Sequence, residues 1–163
     1  MSEMEKLKGI LPAAVTPFDE SEELAQAPFE MLLESLYGAG VDGVYVCGGT
    51  GEGLLQTVEQ RKRVAEAAVR NSPKGKQVVV HVGSHRTADA VELAAHAGRI
   101  GASAVSALPP LGNYSFARSA RTTRRSRPRR GLPCWCISSP ARTPGSTRWI
   151  RFWSSAAFRM WRD

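Results

Sequence analysis

Long apolar runs are missing from this 163-residue chain. None approaches the roughly 18 residues that a membrane-spanning helix needs, so no membrane partner is expected. The stretch from Met1 to Lys8 is charged and lacks the apolar core of a secretory signal, which points to a cytoplasmic protein. Cysteine is scarce: Cys47, Cys134 and Cys136 are too few and too scattered for a disulfide framework. What is present, 42% hydrophobic residues over this length, is ordinary for one globular domain with a real core.

A second set of absences is local. Residues 118–163 contain no Val, Glu, Lys, Asn, Gln, His or Tyr. They hold twelve Arg, all four Trp and a single acid, Asp163, for a local charge of +11. Residues 1–117 carry ten Lys/Arg against fourteen Asp/Glu, a charge of −4. The overall +7 is therefore a property of the tail and not of the domain before it. Periodicity of either helical or strand type also stops after Ala117.

Before that break the chain alternates regularly. Residues 9–16 form an apolar run ending at Pro17, read as a buried strand. Pro28 suits a first helical position, and Phe29, Leu32, Leu33 and Leu36 make one apolar face. Residues 41–47 read as a second strand, and Thr57 with Gln60 makes a capping box. The helix it opens is expected to bury Val64, Ala65, Ala68 and Val69 and to show Arg61, Lys62, Glu66 and Arg70 to water. Residues 78–82 give a third strand. Thr87 is the expected cap of a third helix, with Ala90, Val91, Ala94 and Ala97 inward, and residues 102–108 make a fourth strand. Strands alternating with helices imply an α/β protein with a parallel sheet, either open and doubly wound or closed into a barrel. In both, ligands meet the C-terminal strand ends, here residues 47–53 and 82–86.

The second strand runs into Gly48-Gly49-Thr50-Gly51-Glu52-Gly53. The spacing is not that of a dinucleotide fingerprint, and no Lys follows the glycines as in a P-loop. What remains is a backbone that can approach a ligand closely, with free N–H groups and one hydroxyl, a nest suited to a carboxylate. The competing reading is a tight turn with no ligand. Cys47, His81 and His85 lie on separate segments and make no convincing metal set.

The stretch VYVCGGTGEG, followed by a helix opening E-x-R-K-R-V, resembles the N-acetylneuraminate lyase and dihydrodipicolinate synthase family. Ala14-Val15-Thr16-Pro17-Phe18, His81-Val82-Gly83 and Arg99-Ile100-Gly101-Ala102 extend the resemblance over roughly residues 7–117. It implies a (β/α)8 TIM barrel, of which this chain holds about four β/α units, and an intact protein that is a homotetramer. It also implies a lyase acting on pyruvate or another 2-keto acid through a lysine Schiff base, with a tyrosine relaying protons and no further cofactor. By the resemblance, Gly49 and Thr50 belong to the loop that holds the pyruvate carboxylate, with Gly48, Gly51 and Glu52 as its support. Gly49 stands where the family usually has Ser or Thr. Leu111 and Gly112 stand where the synthase branch has an aromatic. Both departures favour a lyase-like or uncharacterised branch.

The family's fifth and sixth strands should follow residue 117, and the genetic code offers an account of why they do not. If each true codon begins one base earlier, Cys134-Trp135-Cys136-Ile137 must read Met/Leu/Val, then Leu, Val and Tyr/His. That is an apolar strand ending in the expected tyrosine. Residues 118–123 become compatible with Glu-Ile-Arg-Ala-Tyr-Tyr, a start for the fourth helix. The expected organisation is thus a half-barrel over residues 1–117 and an out-of-frame, disordered or non-native basic tail over residues 118–163, supplying no strand. Neither the Schiff-base lysine nor the relay tyrosine is present, so inactivity is expected. Lys6, Lys8, Lys62, Lys74 and Lys76 all lie away from C-terminal strand ends. Two other functions compete: polyanion or nucleic-acid binding by residues 118–130, non-specific in character, and dinucleotide or flavin binding on an open sheet.

Overall fold

The computed structural model describes residues 7–108, 125 and 134–136. Among the described residues three helices, α1 (Gln26–Gly38), α2 (Val58–Arg70) and α3 (Thr87–Arg99), alternate with three strands, β1 (Gly43–Val46), β2 (Gln77–His81) and β3 (Ala104–Ala107). A fourth strand, β4 (Cys134–Cys136), follows. All pairings are parallel and the order is β1-β2-β3-β4. This is the β/α arrangement read from the alternation.

Parallel strands need helical crossovers, and these cover one face of the sheet. Val44, Val46, Val78, Val80, Val105 and Ala107 are buried there with Val64, Ala68, Leu93 and Ala97 of α2 and α3. Successive residues of a strand point to opposite faces. The register Tyr45↔Val79↔Ala104 and His81↔Ser106 therefore puts these five side chains together on the other face.

Local chemistry sets the helix ends. The Thr57 hydroxyl accepts from Gln60 N–H at 3.2 Å while Gln60 Oε1 accepts from Thr57 N–H at 2.8 Å, the expected capping box. Gly40 (φ +87°) and Gly101 (φ +84°) take the left-handed conformation just after α1 and α3, where a side chain would be strained. Lys62 bridges Glu59 and Glu92, both at 2.6 Å, and His96 meets Glu66 at 2.7 Å, so polar contacts tie α2 to α3 along their rim.

Several expectations change. Residues 9–16 make a single bridge, Ala13 to Tyr45, with backbone bonds from Asp42, Ala14 and Tyr45 N–H to Ile10, Tyr45 and Pro12 carbonyls. Its end alternates, with Ala14 and Thr16 buried and Ala13 and Val15 exposed, and Ile10 is exposed as well, so it is not buried on both faces. Helix α1 begins at Gln26, ahead of Pro28. Thr87 is the first residue of α3 and Arg86 holds the cap position. Val91 is exposed, whereas Leu93 and His96 are buried. The expectation that the tail supplies no strand is corrected at Cys134–Cys136, which pairs with Val105, Ser106 and Ala107. Strand β3 is therefore paired on both sides. Leu111, Gly112 and the rest of residues 118–163 apart from Arg125 lie outside the described residues. Among the described residues no helix is long and apolar enough to cross a membrane.

Candidate functional site

Strand β1 delivers the chain into the glycine loop through Cys47, whose φ of +58° turns the backbone sharply. Glu52 repeats the device at φ +53°. Between them Gly53 N–H donates to the Gly48 carbonyl at 3.0 Å and Glu52 N–H to the Gly49 carbonyl at 3.1 Å. The Gly51 carbonyl is turned into the protein, where the Thr16 hydroxyl (2.8 Å) and Gln56 Nε2 (2.6 Å) both donate to it. Thr16 comes from the segment beside β1 and Gln56 from the approach to α2, so the loop is fastened on both flanks. Gly49 and Thr50 are left exposed at the C-terminal strand ends.

The glycines differ in what they permit. A Cβ on Gly48 would sit 2.4 Å from the Tyr45 ring, and one on Gly51 2.9 Å from the Ala14 carbonyl oxygen. On Gly49 it would meet nothing within 4 Å, so a hydroxyl side chain has room there. Glu52 is exposed and serves the loop through its backbone.

Beneath the loop lies a buried polar layer. The Tyr45 and Ser106 hydroxyls are 3.0 Å apart, joining β1 to β3. Burial raises the Tyr45 phenol above its ordinary value, opposed by Ser106 and by the charge of Arg61. The Cys47 thiol is pushed by burial up to about 11, so it is a closed, unreactive group whose Sγ points to the Arg61 carbonyl at 3.6 Å. His81 is buried, and its Nε2 accepts the Leu108 N–H at 3.2 Å. Burial, reinforced by Arg61, lowers His81 to about 4 against a backbone hydrogen bond with Cys47. His85 is exposed. Among the described residues no three His, Cys, Asp or Glu gather in a way that would hold a metal.

The His81 shift has a testable sign. Unfolded histidine takes up a proton near pH 6.5, whereas folded His81 resists until about pH 4. Its contribution is fully present above 6.5 and is lost as pH falls from there to about 4, a loss of about 3 kcal/mol. Urea denaturation from pH 7 to pH 4 is expected to show this loss, and His81→Gln to reduce it. Equal acid sensitivity in both proteins would assign the effect elsewhere.

Arg61 was missed by the sequence reading, which put it in water; it is only 3% exposed. The available signal was its spacing from Ala65 and Ala68, which sets it on the apolar stripe of α2. Thr16 was legible only as part of a motif. Gln56 and the Tyr45–Ser106 pair had no sequence signal, since each depends on residues distant in the chain.

The sequence pattern of the Dihydrodipicolinate synthetase family matches residues 6–120. The chain belongs to that family. Within it, the N-acetylneuraminate lyase of Rhizobium meliloti (strain 1021) is 35% identical over 144 residues, 87% of this chain and 48% of the relative. That alignment runs past the residues matched by the family pattern. The N-acetylneuraminate lyase of Mycoplasma synoviae superposes with a TM-score of 0.78 at 28% identity, over 85% of this chain and 49% of that one. YagE, a prophage protein of the dihydrodipicolinic acid synthase family from E. coli K12 solved with pyruvate, superposes at 0.75 with 28% identity, over 82% of this chain and 45% of its own. The chain spans about half the length of the relatives it matches. The fold is accordingly part of a TIM-barrel aldolase.

Proposed function

We propose that residues 1–117 form the keto-acid-binding half of a pyruvate-dependent Schiff-base lyase, closer to N-acetylneuraminate lyase than to the synthase. The carrying observation is the Gly51 carbonyl, pinned inward by Thr16 and Gln56. With that oxygen withdrawn, Gly49 and Thr50 offer an incoming carboxylate donors rather than a repelling acceptor. The relatives named as N-acetylneuraminate lyases and the pyruvate complex of YagE support the substrate class. The family resemblance supports a cytoplasmic homotetramer for the full-length form.

We further infer that residues 118–163 are read one base out of the family's frame. Counting the segment at Ala13 as the first strand, β4 occupies the fifth place in the sheet. Its three residues are those whose shifted codons give an apolar strand. A polypeptide of these 163 residues then binds a keto acid weakly and forms no imine.

Titration of the isotope-labelled chain with pyruvate tests the binding half of this reading. Amide shifts are expected to concentrate at residues 49–53. Thr50→Val removes one hydroxyl hydrogen bond, about 1 kcal/mol, and should weaken binding roughly fivefold. Saturating pyruvate that leaves those amides unmoved would rule the site out.

A further inference from the structure

The contacts that join the strand ends converge on Arg61. Its Nη1 donates to the Gly83 carbonyl at 2.8 Å and its Nη2 to the His81 carbonyl at 2.6 Å. Nε is buried and has no partner among the described residues. No carboxylate lies within ion-pair distance of the guanidinium among the described residues. An apolar side chain of similar length would fill the same space on α2 without the cost of burying a cation. The charge is therefore not explained by helix packing, and its surroundings show what it acts on. Nη2 lies 3.5 Å from His81 Nδ1, and the same imidazole accepts the Leu108 N–H through Nε2. Gly83 has no room for a side chain, since a Cβ would come within 2.8 Å of the His81 ring.

We propose that Arg61 is a positioning residue of the site: it fixes the carbonyls of His81 and Gly83 at the end of β2 and sets its charge beside the His81 ring, whose Nε2 ties the chain leaving β3 to that strand, so that the floor beneath the glycine loop is one rigid unit. The inference goes beyond the keto-acid reading and holds whatever ligand the loop takes. The ring can accept the Leu108 N–H only while Nε2 carries no proton. A second proton would set two donors against each other and would add a cation beside the guanidinium. The groups around His81 are Tyr45 and Cys47 of the β1 end, Arg61 of α2, and Ser106 and the Leu108 amide of the β3 end. Asp89 of α3 acts on Arg61. None of them offers a buried carboxylate that would favour the charged ring.

The experiment is an NMR titration of the 163-residue chain, following the His81 imidazole and the exchange of the Leu108 amide relative to that of Val80 in β2. Three proteins are compared: the chain itself, Arg61→Lys and Arg61→Met. His81 is expected to titrate near 4 in the parent and close to that in Arg61→Lys, which keeps the charge. In Arg61→Met the midpoint should rise by about one unit or more, and at pH 5.5 Leu108 should exchange about tenfold faster than in Arg61→Lys. Both substitutions moving His81 and Leu108 by the same amount would reduce Arg61 to a packing residue and overturn the proposal. The parent chain is a second test should Arg61→Met fail to fold. Its Leu108 exchange, referred to Val80, must increase as pH falls through the His81 midpoint, and a flat ratio would also overturn it.

Discussion

A gene corrected by one base near codon 117 is expected to yield a protein that borohydride links covalently to pyruvate, while the 163-residue chain takes up none. The reaction needs a lysine amine that attacks the keto carbon, loses water and leaves an imine for hydride to reduce. Such a lysine must sit at the C-terminal strand ends, desolvated enough to be unprotonated near neutral pH. The described lysines do not meet that demand. Lys62 is held by Glu59 and Glu92, and these hydrogen bonds raise its pKa above the ordinary value. Lys76 donates to the Val41 carbonyl at 2.7 Å, at the opposite end of the sheet from Thr50. Lys8 and Lys74 lie before the segment at Ala13 and before β2, again at that far end. The gain on correction is on the order of a millionfold or more in carbon–carbon cleavage. Mass spectrometry after borohydride reads the adduct, and cleavage of a 2-keto acid sugar reads the activity. A labelled 163-residue chain, or a nucleotide sequence whose upstream frame runs intact through codons 110–163, would sink the frame proposal.

Gly53→Ala is expected to remove roughly 3 kcal/mol or more of stability, with Gly49→Ala within about 0.5 kcal/mol of the parent. The two glycines are four residues apart in one loop and differ only in surroundings. A Cβ on Gly53 would stand 1.8 Å from the Cys47 carbonyl oxygen and 2.6 Å from its carbon. Those are backbone atoms of a residue already held at φ +58°, so neither partner can yield cheaply. The Gly53 N–H bond to Gly48 would open with the displacement. Urea denaturation of the three proteins measures the contrast, and similar losses at both positions would show that the loop is looser than its geometry implies.

The strand–helix alternation was legible because β1, β2 and β3 and their helices each carry a strong local pattern. The capping box at Thr57 is entirely local and appears as read. Residues 9–16 were read as a full strand because an apolar run does not tell whether both sides are covered. Here Ile10 and Val15 face outward and only Ala13 bridges. Arg61 was misplaced because charge outweighed its position on the helix. Its burial depends on carbonyls at the end of β2, twenty or more residues later in the chain. The loop was legible as a ligand-approaching turn, but not the inward Gly51 carbonyl, which needs Thr16 from a distant segment. The tail composition predicted no strand, and β4 forms because a parallel neighbour supplies backbone partners to whatever residues are laid against it.

The order of strands across the sheet is also their order along the chain. Each strand thus docks against one that has already left the ribosome, and none must wait for a later segment to be inserted between two earlier ones. Assembly can run outward from the segment at Ala13 at the pace of synthesis, keeping the growing margin of the sheet next to the newest residues. A change of reading at codon 117 would then strike after three of these dockings have their parts in place.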